Sequence, residues 1–288
     1  MNIFKLSLKI IGQIAFVIIF FSTLNAKNLD KFNNADLVSN YFSGILLLND
    51  NQYNESAKFL RKLNGLESSH INYSVKYLYS LINSGNLNEA FNYSKKLEKQ
   101  KLDSFESHLI TGIFYLKNSN LDLAREYLLK AKKKNSSFVL NNYVSNSLHI
   151  WSSLDELNLI SATNKMKKID LRFKNLTKIQ NVFLKCFFNS PKTNSLFNQL
   201  VADEKTNFSR YNFFYASYVA ASGNIPKAKN IVKSALELHP RNLLLNQYKL
   251  DLNNKNDNPN FNCQNPSHVI AEILYITANA LSSQSIYT

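Results

Sequence analysis

The chain has 288 residues, 45% of them apolar, with only six glycines and five prolines. Sandwiches and barrels use both residues freely in their turns, and strict polar–apolar alternation over strand lengths is hard to find, so helix is the favoured element. The net charge of +14 could suit nucleic acid or anionic lipid. Lys, Asn, Ile, Phe and Tyr are abundant together, however, as an AT-rich coding sequence makes them. Lys130, Lys132, Lys133 and Lys134 also fall where a helix C-terminus favours cations. A nucleic-acid role is therefore not expected.

The first 26 residues differ from the rest. Lys5 and Lys9 precede an uncharged run over residues 10–21, and Ser22-Thr23-Leu24-Asn25-Ala26 follows. A basic start, an apolar stretch and a small exit residue describe a secretory signal peptide over residues 1–26, cut after Ala26. The alternative is an uncleaved inner-membrane anchor over residues 6–26, which Lys9, Gln13 and Asn25 weaken. The expected location is the periplasm or envelope. An exported protein can oxidise its cysteines, and the chain has two, Cys186 and Cys263. Cys186 lies in the apolar stretch 182–188 and suits a small core position, so pairing stays open.

Past residue 26, one short phrase recurs. Residues 50–56 read Asp-Asn-Gln-Tyr-Asn-Glu-Ser, 84–90 Ser-Gly-Asn-Leu-Asn-Glu-Ala, 118–124 Asn-Ser-Asn-Leu-Asp-Leu-Ala and 222–228 Ser-Gly-Asn-Ile-Pro-Lys-Ala. The terminal small residues Ser56, Ala90 and Ala124 are 34 apart, and Ala228 lies 104 beyond, three periods plus two. A fixed period of this size predicts stacked repeats. Twelve before the small residue stand Gly44, Leu78, Gly112 and Ala216; three before it stand Tyr53, Leu87, Leu121 and Ile225; seven after it stand Leu63, Leu97, Ala131 and Ala235. Offsets of three, four and seven share one helical face. Each repeat is predicted to be a helix, a tight turn at a residue such as Gly85 or Gly223, and a second helix. Pro226 falls in the first turn of its helix, where a missing N–H is tolerated.

Residues 138–208 keep helical patterning without the phrase. Helices are predicted over 139–154, 157–169, 176–188 and 194–203, giving two divergent repeats and a total of about six. After a helix over 242–252, residues 253–265 are polar and read as a flexible loop. Asn265-Pro266-Ser267 then opens a last helix towards Leu281. Its Ile270, Ile273, Leu274, Ile276 and Leu281 have no following helix to cover them. Residues 266–288 are therefore expected to begin a further repeat, in a chain read as a fragment.

The pattern resembles the tetratricopeptide repeat (TPR) family. Gly112, Tyr115, Ala124 and Ala131 form the central match, and Ala216, Ala228, Ala235 and Pro240 the late one. The resemblance covers residues 37–138 and 209–242, departs at Ser56 and Ser94, and lacks the family's early Trp; the lone Trp151 lies in the degenerate middle. It implies an all-α fold, a right-handed α-α superhelix of residues 27–252. It also implies a concave face built from each first helix. That face would take Val38, Tyr41, Ile45 and Leu48 from repeat one, and Asn72, Val75, Tyr79 and Ile82 from repeat two. Repeat three would supply Glu106, Leu109, Ile113 and Leu116. The resemblance thus implies a non-enzymatic module of the bacterial envelope that binds a peptide or protein. Its ligand would be apolar or aromatic, anchored by Tyr41 and Tyr79. The alternatives are a scaffold subunit of an envelope assembly and an α-superhelical enzyme acting on cell-wall glycan.

Chemistry-bearing motifs do not compete with that reading. His70, His108, His149, His239 and His268 form no metal-type spacing, and no nucleophile elbow, phosphate loop or dinucleotide fingerprint occurs. No catalytic residue, metal or cofactor is expected. The acidic pairs Asp155-Glu156 and Asp203-Glu204 suit helix starts or solvated surface.

Overall fold

The computed structural model describes residues 31–134, 139–206, 208–254 and 261–283. The signal-like segment 1–26 lies outside them, as do the side chain of Leu281 and the last residues of the chain. All regular structure among the described residues is helical, in two compact units that divide after Asn86. The first holds α1 (Lys31–Asn49), α2 (Tyr53–Arg61) and α3 (Ile71–Asn83). The second holds α4 (Leu87–Lys99), α5 (Phe105–Lys117), α6 (Leu121–Lys133), α7 (Val139–Ser152), α8 (Leu159–Lys167), α9 (Lys174–Phe187), α10 (Thr193–Ala202), α11 (Ser209–Ala221), α12 (Ile225–Leu238), α13 (Leu243–Asn253) and α14 (Pro266–Ser283). All four helices expected in the divergent middle are present. None of the described helices is long and apolar enough to cross a membrane.

The recurring phrase is a corner closed by one set of bonds. Gly85 and Gly223 have φ of 78° and 84°, in the left-handed region that suits glycine. Asn51, Ser119 and Asn189 adopt the same conformation at φ of 59°, 58° and 51°. At each of the five, the residue's own N–H bonds the carbonyl three back and the next N–H bonds the carbonyl five back. At Gly85, for example, the acceptors are Ile82 and Leu81, and at Asn189 they are Cys186 and Lys185. These pairs satisfy carbonyls that a helix end leaves open. The following asparagine often caps the next helix: Asn120 accepts from Leu123 N–H and Asn224 from Lys227 N–H.

Behind each corner the helices touch at small residues. Ala124, Ala131, Ala216 and Ala228 are completely buried. A Cβ added to Gly112 would stand 2.9 Å from Leu128 Cδ2, and one on Gly44 would stand 2.6 Å from Leu60 Cδ2. Repeat one departs from the pattern with a serine, and the structure accommodates it: Ser56 Oγ donates to the Gly44 carbonyl at 2.8 Å. In the second unit, Trp151 is buried and its Nε1 donates to Gln180 Oε1 at 2.7 Å.

The end of the chain departs from expectation. α14, expected to open a further repeat, packs back on α7, burying Val269, Ile270 and Ile273. The apolar face read as uncovered finds its partner earlier in the chain. Cys186 and Cys263, left open on sequence, are joined in a disulfide with Cα atoms 5.9 Å apart, across 77 residues. Of the stretch expected to be a flexible loop, residues 261–265 are anchored: Phe261 and Cys263 are buried.

Candidate partner-binding surfaces

In the first unit, α1 and α3 carry an apolar strip. Tyr79 and Ile82 of α3 are 41% and 40% exposed. Tyr79 meets Tyr53 edge-on at 6.0 Å. Tyr41, Ile45 and Val75 are half-buried, and the Tyr41 ring lies 5.0 Å from the His70 ring. Leu48 is only 5% exposed. It faces the packed interior and cannot offer area to a partner.

The sequence reading named Val38 but missed Phe42 and Leu46, the most exposed side chains of this strip. Val38, Phe42 and Leu46 are 54%, 61% and 63% exposed. They stand four residues apart, one helical turn each, so they share a face of α1. The signal was present as an apolar run at this spacing, but a family register centred on Tyr41 and Ile45 points one residue away.

In the second unit, the expected face of α5 is largely covered. Leu109 is half-buried against the core, Ile113 is half-buried, and Leu116 is 6% exposed and belongs to the core itself. Leu48 and Leu116 are therefore withdrawn from the candidate surface. Both sit at the end of a first helix, where the left-handed corner folds the second helix over them.

Several charged groups of the second unit pair with one another. Glu98 of α4 accepts from Lys130 at 2.9 Å and from the Tyr127 hydroxyl at 2.8 Å, and also binds Lys95. Burial would raise its pKa, but these bonds together hold it at about 2. Asp155 and Glu156, offered as solvated surface, converge on the Arg125 guanidinium, Asp155 at 2.6 Å. Asp203 binds Lys178 at 2.6 Å. His108 Nε2 lies 2.9 Å from Asp103 Oδ2, and burial holds its pKa down against that carboxylate's pull. His149 is pushed to about 4 by burial and by the neighbouring cations of Lys132, Lys165 and Arg125, so it stays neutral at physiological pH. His239 occupies the C-cap position of α12, its backbone N–H donating to the Ala235 carbonyl.

One polar cluster is internal. Glu272 of α14 is 1% exposed and pairs with Arg210 of α11. Burial pushes its pKa upward against the attraction of Arg210. Burial likewise raises the hydroxyls of Tyr143 on α7 and Tyr211 on α11, which both feel the Glu272 charge.

No protein-family model matches the sequence, and no curated protein does. Similar architectures occur among solved structures. The crystal structure of the APC/C hetero-tetramer Cut9–Hcn1 superposes with a TM-score of 0.50 at 13% identity, covering 80% of this chain and 45% of that one. PilF of Pseudomonas aeruginosa gives 0.47 at 13% identity, over 77% of this chain and 100% of that one. Naa15/Naa10 bound to HypK gives 0.35 at 15% identity, over 76% and 34%. The likeness to Cut9–Hcn1, whose chain is more than twice as long as the region matched, shows the fold. The chain has an all-α, TPR-like helical-repeat architecture.

Proposed function

We propose that the chain is a non-enzymatic protein-interaction module of a bacterial cell envelope, taking a peptide or protein segment on its first helices. The observation that carries this reading is the exposed apolar strip of the first unit, with Val38, Phe42 and Leu46 on α1 and Tyr79 and Ile82 on α3. Exposed apolar side chains sharing a helix face are a mark of partner contact, and aromatic side chains concentrate binding energy at such sites. TPR-like neighbours are protein-binding scaffolds in general, which supports the class. The signal-like residues 1–26 support export, and the Cys186–Cys263 pair suits an oxidising compartment.

The strip carries little charge, so binding should depend weakly on salt. The test is capture of a partner from envelope extract by the oxidised full chain, across a salt series. Two double variants are compared, Tyr41→Ala with Tyr79→Ala and Phe42→Ser with Leu46→Ser, each checked for unchanged melting. Both should lose most of the capture. Capture that survives both, or that modest salt abolishes, moves the reading to the basic outer surface and a scaffold role. Mature protein recovered from the periplasm should begin at Lys27; a retained residue 1 would favour the anchor.

A further inference from the structure

Residues 261–283 run back over first helices of three successive pairs. Phe261 stacks on Phe214 of α11 with centroids 3.7 Å apart and leans on Phe183 of α9 at 5.2 Å. Cys263 is bonded to Cys186 of α9. α14 packs on α7, and its Glu272 pairs with Arg210 of α11. Each of these contacts is to a first helix, the class of surface that forms the apolar strip in the other unit.

The occupant fits this surface imperfectly. A core contact would be apolar, but α14 brings a carboxylate into the interior. Glu272 interacts with the Tyr211 hydroxyl of α11, and the Tyr143 and Ser147 hydroxyls of α7 interact with each other, but Glu272 Oε1 and the three hydroxyls form no hydrogen bond of good geometry. Tyr143 and Ser147 are one turn apart on the same face. A buried polar atom whose bond is poorly formed recovers only part of the cost of losing water. Lifting α14 away would return water to Glu272 and to the Tyr211 and Tyr143 hydroxyls near it, which offsets part of the cost of exposing its apolar face. The disulfide offsets that tendency by keeping the segment close to its surface whatever the strength of its contacts. It is also the one link that chemistry can cut without touching the packing.

We propose that residues 261–283 are a removable self-ligand covering the first-helix surface of α7, α9 and α11, and that a dithiol reductant frees this surface by reducing the Cys186–Cys263 bond. The reductant's two thiols supply two electrons and two protons. They become a disulfide, and Cys186 and Cys263 become free thiols. The surface so exposed takes a helix from another protein with the chemistry of the present occupant. An aromatic side chain just ahead of that helix meets the Phe183 and Phe214 rings, and the helix itself carries apolar residues at helical spacing and a carboxylate for Arg210. This deepens the reading of the first helices as the partner face and rests on it.

The test uses the full chain and a labelled synthetic peptide of residues 261–283 with serine in place of its cysteine. Hydrogen exchange is measured on the oxidised protein, the reduced protein and the Cys263→Ser variant. Exchange in α14 should quicken at least tenfold after reduction and in Cys263→Ser, while α11 and α12 keep their protection. The peptide should bind the reduced chain saturably, bind a Phe261→Ser/Cys263→Ser variant more tightly, and leave the oxidised chain unbound. A peptide carrying Phe261→Ala and Glu272→Ala should bind at least tenfold more weakly. Unchanged α14 protection after reduction overturns the proposal. So does loss of protection throughout the second unit at once, which would make the segment a core element. Opening without peptide binding overturns it too. No envelope partner enters these measurements, so they stand apart from the outcome at Tyr41, Phe42, Leu46 and Tyr79.

Discussion

Arg210 and Glu272, 62 residues apart in the chain, form an ion pair in which the carboxylate is 1% exposed and the guanidinium 36%. The guanidinium also lies over the rings of Phe214 and Tyr275, at 5.1 and 4.3 Å. The asymmetry decides the electrostatics: Arg210 keeps water, whereas Glu272 gives it up for Arg210 and the Tyr211 hydroxyl. Its pKa is therefore higher in the folded chain than in the unfolded one. A group raised in this way stabilises the fold fully below its unfolded pKa and loses that contribution as pH rises through the folded value. Glu272→Gln should melt with the wild type at pH 4. At pH 8 it should melt higher, by about 2–4 °C if the charge costs 1 kcal/mol. Parallel pH profiles for the two proteins would show that Arg210 fully compensates the burial.

Glu98 has the opposite sign. Its hydrogen bonds from Lys95, Lys130 and Tyr127 hold its pKa at about 2 against the upward push of burial, and they tie α4 to α6. The stabilisation is present above the ordinary carboxylate pKa and disappears as pH falls through about 2. The side chain is 25% exposed, so solvent screens the network and Glu98→Gln should cost about 1 kcal/mol at pH 7. The cost should vanish in urea melts near pH 2. A difference that persists there would mean that shape, not charge, holds the site.

Ala124 tests the repeat register. It is completely buried in α6, facing the α5 surface where Gly112 stands against Leu128. Ala124→Glu would bury an unpaired carboxylate and should cost about 3 kcal/mol or more. Gly112→Ala adds one methyl at 2.9 Å from Leu128 Cδ2 and should cost about 1–3 kcal/mol by overpacking. An unchanged melting temperature for Ala124→Glu would remove the register on which the helix pairs are built.

The parts of this fold that were legible are those written locally. Gly85, Gly223 and the buried alanines announce a corner and a close approach, because few other residues fit there. Asn189 occupies the same left-handed corner, 34 residues before Gly223, yet it carries no signal, since asparagine adopts many conformations in other contexts. It places the two extra residues of the middle region before position 189, which the sequence alone did not locate. The fold-back of α14 and the Cys186–Cys263 bond were not legible, because both depend on segments 77 or more residues apart coming together. The family register also put Leu48 and Leu116 on the surface and overlooked Phe42 and Leu46. A pattern of helix positions says which residues share a face, but burial depends on what the corner lays over them.

Ser119 offers a test of the corner itself. Its φ of 58° matches the conformation that Gly85 and Gly223 adopt, and it closes the same bonds, from its own N–H to Leu116 and from Asn120 N–H to Tyr115. For an L-residue with a Cβ, this region costs about 1–2 kcal/mol. Glycine removes that strain at some cost in unfolded-state entropy. Ser119 is exposed, so its side chain contributes little packing to lose. Ser119→Gly should therefore raise stability by about 0.5–1 kcal/mol. The reverse experiment is available at Gly223, where an added Cβ would meet nothing within 4 Å. Gly223→Ala should lower stability by about 1 kcal/mol through the backbone alone. Asn51→Gly should change less than Ser119→Gly, because asparagine tolerates the left-handed region better. Urea melts of the three variants give the comparison directly. A Ser119→Gly protein no more stable than wild type, alongside a neutral Gly223→Ala, would mean that the bonds of the corner, and not its backbone conformation, set its energy.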